Sequence, residues 1–245
     1  MRRLALIDGD EVAFKACAVT ATTVDWQDGE ASQAPAPSLA MKAAKELISA
    51  WSDKVDADDI LVCLSCKDRK LFRRDLSPSY KTERTEKPDA YWRVIEMFER
   101  DYETEEIPGL EADDVMGLRS ASTDKVQPII VSSDKDMKTV AGAWIYAPYH
   151  ATKKRISQYD GDRAWMSQTL TGDTSDGYKG LPKCGPKCAE KTLEGRTTLR
   201  EMWSAVAGAY GEKGFPLEDA VLQARLARIL RPGDYQDGKV KLWTP

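Results

Sequence analysis

The sequence predicts an α/β protein: a parallel twisted sheet flanked by helices, followed by a helical C-terminal region. Three observations lead there. Short apolar runs alternate with amphipathic stretches up to about residue 160. Two of those runs lead into a carboxylate, at Asp8 and at Asp134. From Asp162 onward the pattern is helical, punctuated by Gly and Pro turns. Strands that alternate with helices pair in parallel, because each crossover helix returns the chain to the same end of the sheet.

Leu4 to Asp8 reads as a short buried strand, and Thr22 to Pro37, rich in Ala, Thr and Pro, as a loop. Ser38 is placed to cap a helix through about Trp51, with Leu39, Ala43, Leu47 and Ile48 on one face. Ile60–Leu64 is a second strand. A basic stretch broken at Pro78 and Pro88 follows, then an amphipathic helix from about Ala90 to Arg100. Pro108-Gly109 makes a turn and Glu111 to about Ala121 a helix. Pro128–Ser133 is a third strand and Ala143–Tyr146 a fourth. The expected organisation is a core over residues 1–160 and a helical region over 161–245. Parallel sheets bind ligands at the carboxyl ends of their strands, so Asp8 and Asp134, with Asp68 just past strand two, should share one edge.

Of the 245 residues, 42% are hydrophobic and 31% charged, the balance of a globular protein rather than a disordered chain. No apolar run is long enough to span a bilayer, and the start turns acidic at Asp8, too early for a signal peptide. The expectation is a cytoplasmic protein with no membrane partner and no obligate protein partner. Five cysteines, an odd number, argue against a secreted disulfide framework. A zinc site would need Cys63/Cys66 and Cys184/Cys188 to converge, whereas Cys63 reads as a core residue in an apolar run.

The net charge is -4, yet charge is segregated. Between Cys66 and Lys87 stand eight bases against four acids, and Gly177 to Arg196 holds five bases against two acids. Asp101 to Asp114 carries seven carboxylates and no base. Such blocks point to a polyanionic partner beside an acidic centre.

Four acidic clusters stand out: Asp8-Gly-Asp10, Glu111-Ala-Asp113-Asp114, Asp134-Lys-Asp136 and Asp173-Thr-Ser-Asp176, with Asp68 as a fifth. A lone Asp at a strand-to-helix turn is ordinarily a cap, and Asp10, Asp68 and Asp136 taken singly fit that role. Only one member of Glu111-Ala-Asp-Asp114 can cap in the ordinary way. Carboxylates that converge repel one another unless cations neutralise them. Hard oxygen donors suit Mg²⁺ or Mn²⁺, and two ions about 4 Å apart suit in-line phosphoryl displacement.

The basic elements have matching chemistry. Gly180-Leu-Pro-Lys183-Cys-Gly185-Pro-Lys187 looks like a helix–hairpin–helix turn, over about residues 177–194, whose glycines let backbone approach a phosphate. Tyr80-Lys81-Thr-Glu-Arg84 sets a ring beside two cations, and Arg73 and Arg74 add charge in the same stretch.

In this order the motifs resemble the flap-endonuclease superfamily of 5′-nucleases, most closely the 5′→3′ exonucleases of short-tailed bacteriophages. The likeness runs over nearly the whole chain and implies a helical arch over about residues 78–100. It implies that Asp8, Glu111, Asp113 and Asp134 serve mainly a first metal and Asp136, Asp173 and Asp176 a second, with Asp114 also among the metal residues and Asp68 a weaker match. It also implies that Lys81, Arg84 and Lys15 handle the scissile phosphate, that Tyr80 stacks on the end nucleotide, and that a potassium ion sits at the hairpin. Lys183 stands where the family pattern has glycine, and Asp10 where relatives often carry an uncharged residue. The implied substrate is DNA with a 5′ end, nick, gap or flap, extending to RNA–DNA hybrids, met in the host cytoplasm if the chain is phage-encoded.

Two other readings compete. A haloacid-dehalogenase-type phosphatase would use Asp8 as nucleophile, Ser132 or Ser133 on the phosphate and Asp173 to Asp176 for metal. A non-catalytic helix–hairpin–helix protein would bind DNA through its basic stretches alone.

Overall fold

β1 (Arg2–Asp8) is buried on both faces: Ala5 and Ile7 enter one apolar layer and Leu6 the other. The computed structural model describes residues 1–25, 31–68, 70–82 and 86–245, with the backbone alone for residues 22–25 and 31–35. α1 (Gly9–Thr20) follows β1 directly, and Asp8 caps it, its Oδ1 accepting the Glu11 amide at 2.9 Å. The expected loop over Thr22 to Pro37 holds a hairpin instead, β2 (Ala21–Asp25) and β3 (Ala31–Pro35). α2 (Pro37–Lys54) begins one residue before Ser38, so Ala36 occupies the cap position.

Next come β4 (Asp59–Leu64), α3 (Phe72–Leu76), α4 (Asp89–Asp101) and β5 (Thr104–Glu106). α5 (Ala112–Arg119), β6 (Val126–Val131), a 3₁₀ turn over Lys135–Thr139 and β7 (Trp144–Ala147) lead to a second 3₁₀ turn and β8 (Thr152–Arg155). The remainder is α6 (Gln158–Thr171), α7 (Pro186–Thr192), α8 (Leu199–Glu212), α9 (Leu217–Ala227) and a small hairpin, β9 (Tyr235–Gln236) and β10 (Lys239–Val240).

The main sheet runs β5-β4-β1-β6-β7-β8. The first five strands are parallel and β8 is an antiparallel edge. Asp8 registers with Cys63, and Ile7 with both Val62 and Val131, so β1, β4 and β6 end nearly level. The chain leaves β1 to one side for β4 and returns on the other as β6. The carboxyl end of β1 is therefore the switch point at which open α/β sheets form a crevice.

One face of the sheet packs on α1, α2 and α4 through Val12, Ala16, Ile48, Val94 and Phe98. The other packs on α5 through Val115 and Met116, with Cys63 fully buried among them as expected. A third cluster joins α6, α8 and α9 around Trp165, Met202 and Tyr210, and Leu71 and Tyr80 enter it from the stretch after β4. Of the expected arch, residues 83–85 lie outside the described residues; the rest comprises turns near Pro78–Thr82, irregular chain at 86–88, and α4. Cys184 and Cys188 form a disulfide across the start of α7, a pairing that the cysteine count gave no reason to expect. Among the described residues no helix is long and apolar enough to cross a membrane.

Candidate active site

An open cleft of about 400 Å³ lies at the carboxyl ends of β1 and β6. Among the described residues nine carboxylates line it, Asp8, Asp10, Glu11, Glu111, Asp113, Asp134, Asp136, Asp173 and Asp176, against the ammonium groups of Lys81, Lys87 and Lys135. The sheet supplies Asp8 directly, and the turn after β6 supplies Asp134 and Asp136. α5 starts at the cleft with Glu111 and Asp113, and the loop after α6 brings Asp173 and Asp176 from the C-terminal helices.

Asp8 is withdrawn from solvent, its Oδ1 accepting the Glu11 amide and its Oδ2 the Ser132 hydroxyl, both at 2.9 Å. Burial, then the charges of Asp10 and Glu11, outweigh those bonds and push its carboxyl up to about 7. Asp113 is pushed well above the usual carboxylate range by burial, then by Asp134 and Asp8. Asp136 is raised by burial and by Asp134. These four carboxylates crowd one another.

The opposite wall is held by cations. Glu111 accepts bonds from Lys81 Nζ at 2.6 Å, the Tyr80 hydroxyl at 2.9 Å and Arg73 Nη1 at 3.1 Å. Burial alone would raise the Glu111 carboxyl, but Lys81 and Arg73 overcome it and bring it to about 2. Lys81 Nζ also lies 3.3 Å from Asp176, and Lys135 Nζ lies 2.7 Å from Asp173. Burial of Asp173 is likewise outweighed, by Lys135 and Ser175, and its carboxyl falls below the ordinary value.

Among the described residues no three Asp, Glu, His or Cys side chains are gathered closely enough to hold one ion as they stand. Ammonium groups occupy Glu111, Asp173 and Asp176 instead. The donor set nonetheless suits a hard cation: every candidate ligand is a carboxylate oxygen, and the charges of Asp134 and Asp8 bear on Asp113.

Several expected site residues lie elsewhere. Asp114 is fully buried beneath the cleft, with both oxygens on the Arg73 guanidinium at 2.6 and 2.7 Å. Its Oδ2 also accepts the Glu111 amide at 3.3 Å and its Oδ1 the Leu230 amide at 3.1 Å. Arg73 is buried too, donating further to the carbonyls of Leu226 and Arg228, so neither residue meets a ligand in the cleft. The four-residue acidic motif thus combines a buried structural acid with cleft acids, which spacing alone does not separate. Asp68 is exposed away from the cleft, where it accepts the Lys70 amide at 3.0 Å.

Tyr80 is buried and stacks on Tyr178, its ring closed to a nucleotide in this arrangement. Arg74 donates to the carbonyls of Tyr80 and Lys81, supporting the turn that aims Lys81. Lys15 stands at the rim, paired with Glu11 at 2.7 Å and donating to Ser133 Oγ at 3.3 Å. Arg84 lies outside the described residues.

In the hairpin stretch, Gly180 has φ +62° and backs onto Gly172, where an added Cβ would come within 2.3 Å of the Gly172 nitrogen. Its amide donates to Gln223 at 2.8 Å, so this glycine serves packing. Lys183 has φ +58°, the conformation that glycine adopts at least cost, and is exposed with Gly185 and Lys187.

The sequence reading missed Glu11, Lys135, Lys87 and Phe14 at the cleft. Glu11 accepts the Ser133 amide at 2.7 Å and ties α1 to the end of β6. Its position three residues after Asp8, on the first turn of α1, was the available signal. Ser132 donates to Asp8 rather than meeting a phosphate, which removes one of the two serine contacts that the phosphatase reading offered.

Residues 3–172 match the family described as 5′-3′ exonuclease, N-terminal resolvase-like domain. The chain is 26% identical to the exodeoxyribonuclease of Enterobacteria phage T3, over 98% of this chain and 92% of that protein. It is also 26% identical to the exonuclease of Escherichia phage T7, over 98% and 93%. The fold matches the bacteriophage T5 flap endonuclease in a pseudo-enzyme-product complex with DNA and metal ions, with TM-score 0.67, 14% identity and coverage of 92% of this chain and 89% of that one. T5 5′-exonuclease with divalent zinc bound gives TM-score 0.65 at 15% identity, covering 92% and 89%. Neither the phosphatase nor the non-catalytic reading finds support in these matches. With the family match spanning residues 3–172 and the cleft at its predicted sheet edge, the chain belongs to the 5′-3′ exonuclease family.

Proposed function

We propose that this protein is a divalent-metal-dependent nuclease that hydrolyses DNA phosphodiesters near 5′ ends, nicks, gaps or flaps, and the RNA of RNA–DNA hybrids. The observation that carries the reading is the crowding of Asp8, Asp113 and Asp134 at the switch point of the sheet, where burial and neighbouring carboxylates raise the carboxyls of Asp8 and Asp113. Such a centre is relieved by cations. Asp8, Glu111, Asp113 and Asp134 are assigned to a first Mg²⁺ or Mn²⁺, and Asp136, Asp173 and Asp176 to a second. When bound, such ions offset the charge that builds on the phosphodiester and make water acidic enough to react at neutral pH.

The protein's own groups do the positioning. Lys81 reaches the cleft from a turn held by Arg74 and is placed to meet a phosphate oxygen. Lys15 and Arg84 are assigned supporting contacts with the same strand. Exposed Lys183 and Lys187, with Gly185 at the start of α7, suit a sequence-independent grip on duplex backbone, with potassium at the hairpin. The phage relatives support action in the host cytoplasm.

The test is digestion of end-labelled duplex, nicked, flap and RNA–DNA hybrid substrates with Mg²⁺, with Mn²⁺ and with chelator. Metal-dependent release from 5′ ends supports the reading. Stable DNA binding without release in either metal would favour a binding protein, and a phosphoryl group trapped on Asp8 would favour the phosphatase.

A further inference from the structure

Cys184 and Cys188 bracket the start of α7, and their disulfide closes that stretch into a small ring. Cys184 is anchored: it is buried in the apolar cluster around Trp165, and its amide donates to the Leu181 carbonyl at 3.1 Å. Ala189 and Leu193 seat the rest of α7 in the same cluster. Between these anchors Gly185, Pro186 and Lys187 are exposed, and a Cβ added at Gly185 would meet nothing within 4 Å. The disulfide is the tie between this open stretch and the turn before it. That turn contains Lys183 at φ +58°, a left-handed conformation that costs a side-chain-bearing residue what glycine avoids.

We propose that Cys184–Cys188 is a thiol–disulfide exchange site, open to dithiol reductants, whose state sets how firmly the hairpin grips duplex backbone. The inference rests on the reading above that Lys183 and Lys187 contact that backbone. Cys188 is half-buried whereas Cys184 is buried, so attack falls on Cys188. A thiolate of the dithiol bonds to Cys188 Sγ, and the Cys184 sulfur leaves as a thiolate and takes a proton. The second thiol of the reductant then displaces Cys188, leaving two protein thiols and an oxidised, cyclic reductant. In the disulfide form the Lys183 turn is held before DNA arrives. In the dithiol form the turn is free to relax, and DNA binding must restore it. That cost is about tenfold in affinity, the scale of holding one non-glycine residue left-handed. Disulfides in reducing compartments are ordinarily transient and redox-sensing, which suits a pair placed beside DNA-binding groups.

The test measures binding of the full chain to a labelled duplex in chelator, where no cleavage intervenes, before and after treatment with dithiothreitol. Thiols titrated in denaturant report the state: three, from Cys17, Cys63 and Cys66, before treatment, and all five after it. Reduction should weaken binding about tenfold. Cys188→Ser should bind like the reduced chain and ignore the reductant. In Lys183→Gly the ratio between the two states should shrink to within about twofold, since glycine holds the turn unaided. Five thiols in chain purified under air, equal affinity in both states, or a ratio unchanged in Lys183→Gly overturns the inference. Should Cys188→Ser not fold, the unaltered chain and Lys183→Gly decide. Metal-dependent cleavage with redox-independent binding sinks only this inference, whereas absence of both cleavage and duplex binding in either state sinks the nuclease reading with it.

Discussion

The Arg73 guanidinium grips the Asp114 carboxylate through two hydrogen bonds, of 2.6 and 2.7 Å, in the interior beneath the carboxylate cleft. The same pair reaches α9 through the Leu226 carbonyl and the following segment through the Leu230 amide, so it ties the C-terminal helices to the start of α5. Breaking a buried pair from one side leaves the other charge unpaired. Arg73→Met should therefore cost about 3–5 kcal/mol in urea unfolding. Asp114→Asn should also destabilise, and its remaining activity should show no change in the divalent-metal concentration needed for half-maximal rate. A raised metal requirement in a folded Asp114→Asn protein would make Asp114 a ligand after all.

Lys81 lies between Glu111 and Asp176, at 2.6 and 3.3 Å, nearly withdrawn from solvent. Lys81→Ala should reduce single-turnover cleavage by about 100-fold, the scale expected for losing one charged contact to the reacting group. It should also reduce the salt slope of DNA binding by about one. An unchanged slope with unchanged cleavage would confine Lys81 to the folded framework.

The pH dependence of stability follows from Asp8 and Asp113. Asp8 ionises at about 7 in the folded chain, against an ordinary value of 3.8, because burial and its acidic neighbours oppose its charge. A raised carboxyl makes its contribution in full below about pH 4 and loses it as pH rises through 7. Asp113 acts in the same direction. Glu111, lowered to about 2 from 4.5, acts oppositely but below pH 5, so the two effects separate. In chelator, the melting temperature should fall between pH 5 and pH 8, by up to about 3 kcal/mol in stability from Asp8 alone. Asp8→Asn should flatten that decline, and Mn²⁺ should reverse it in the unaltered protein. A flat profile in chelator would contradict the crowding described for the cleft.

Gly180 is expected to be intolerant for reasons of space. Its φ of +62° and its approach to Gly172 leave no room for a Cβ. Gly180→Ala should lose at least about 2 kcal/mol in denaturant unfolding, with DNA affinity per folded molecule unchanged. A loss of affinity without a loss of stability would return Gly180 to phosphate contact.

Much of this was legible in the sequence, and the failures have physical causes. β1, β4, β6 and β7 announced themselves as apolar runs, and the carboxylates placed after β1 and β6 do meet at the sheet edge. β5 (Thr-Glu-Glu) and β8 (Thr-Lys-Lys-Arg) carry no apolar alternation, because an edge strand needs little burial. Asp113 and Asp114 are adjacent in sequence, yet the helix turns one toward the cleft and the other toward Arg73, a partner 41 residues away. Lys135 was hidden by its neighbours: its pairing with Asp173 depends on how the C-terminal region docks.

The central claim is that the crowded carboxylates at the end of β1 are the hydrolytic centre. The most direct test is single-turnover digestion of 5′-labelled duplex with Mg²⁺ by Asp113→Asn and Asp134→Asn proteins, with DNA affinity measured alongside. Loss of cleavage in both, with affinity retained, is the predicted result; cleavage that persists in both variants would contradict it.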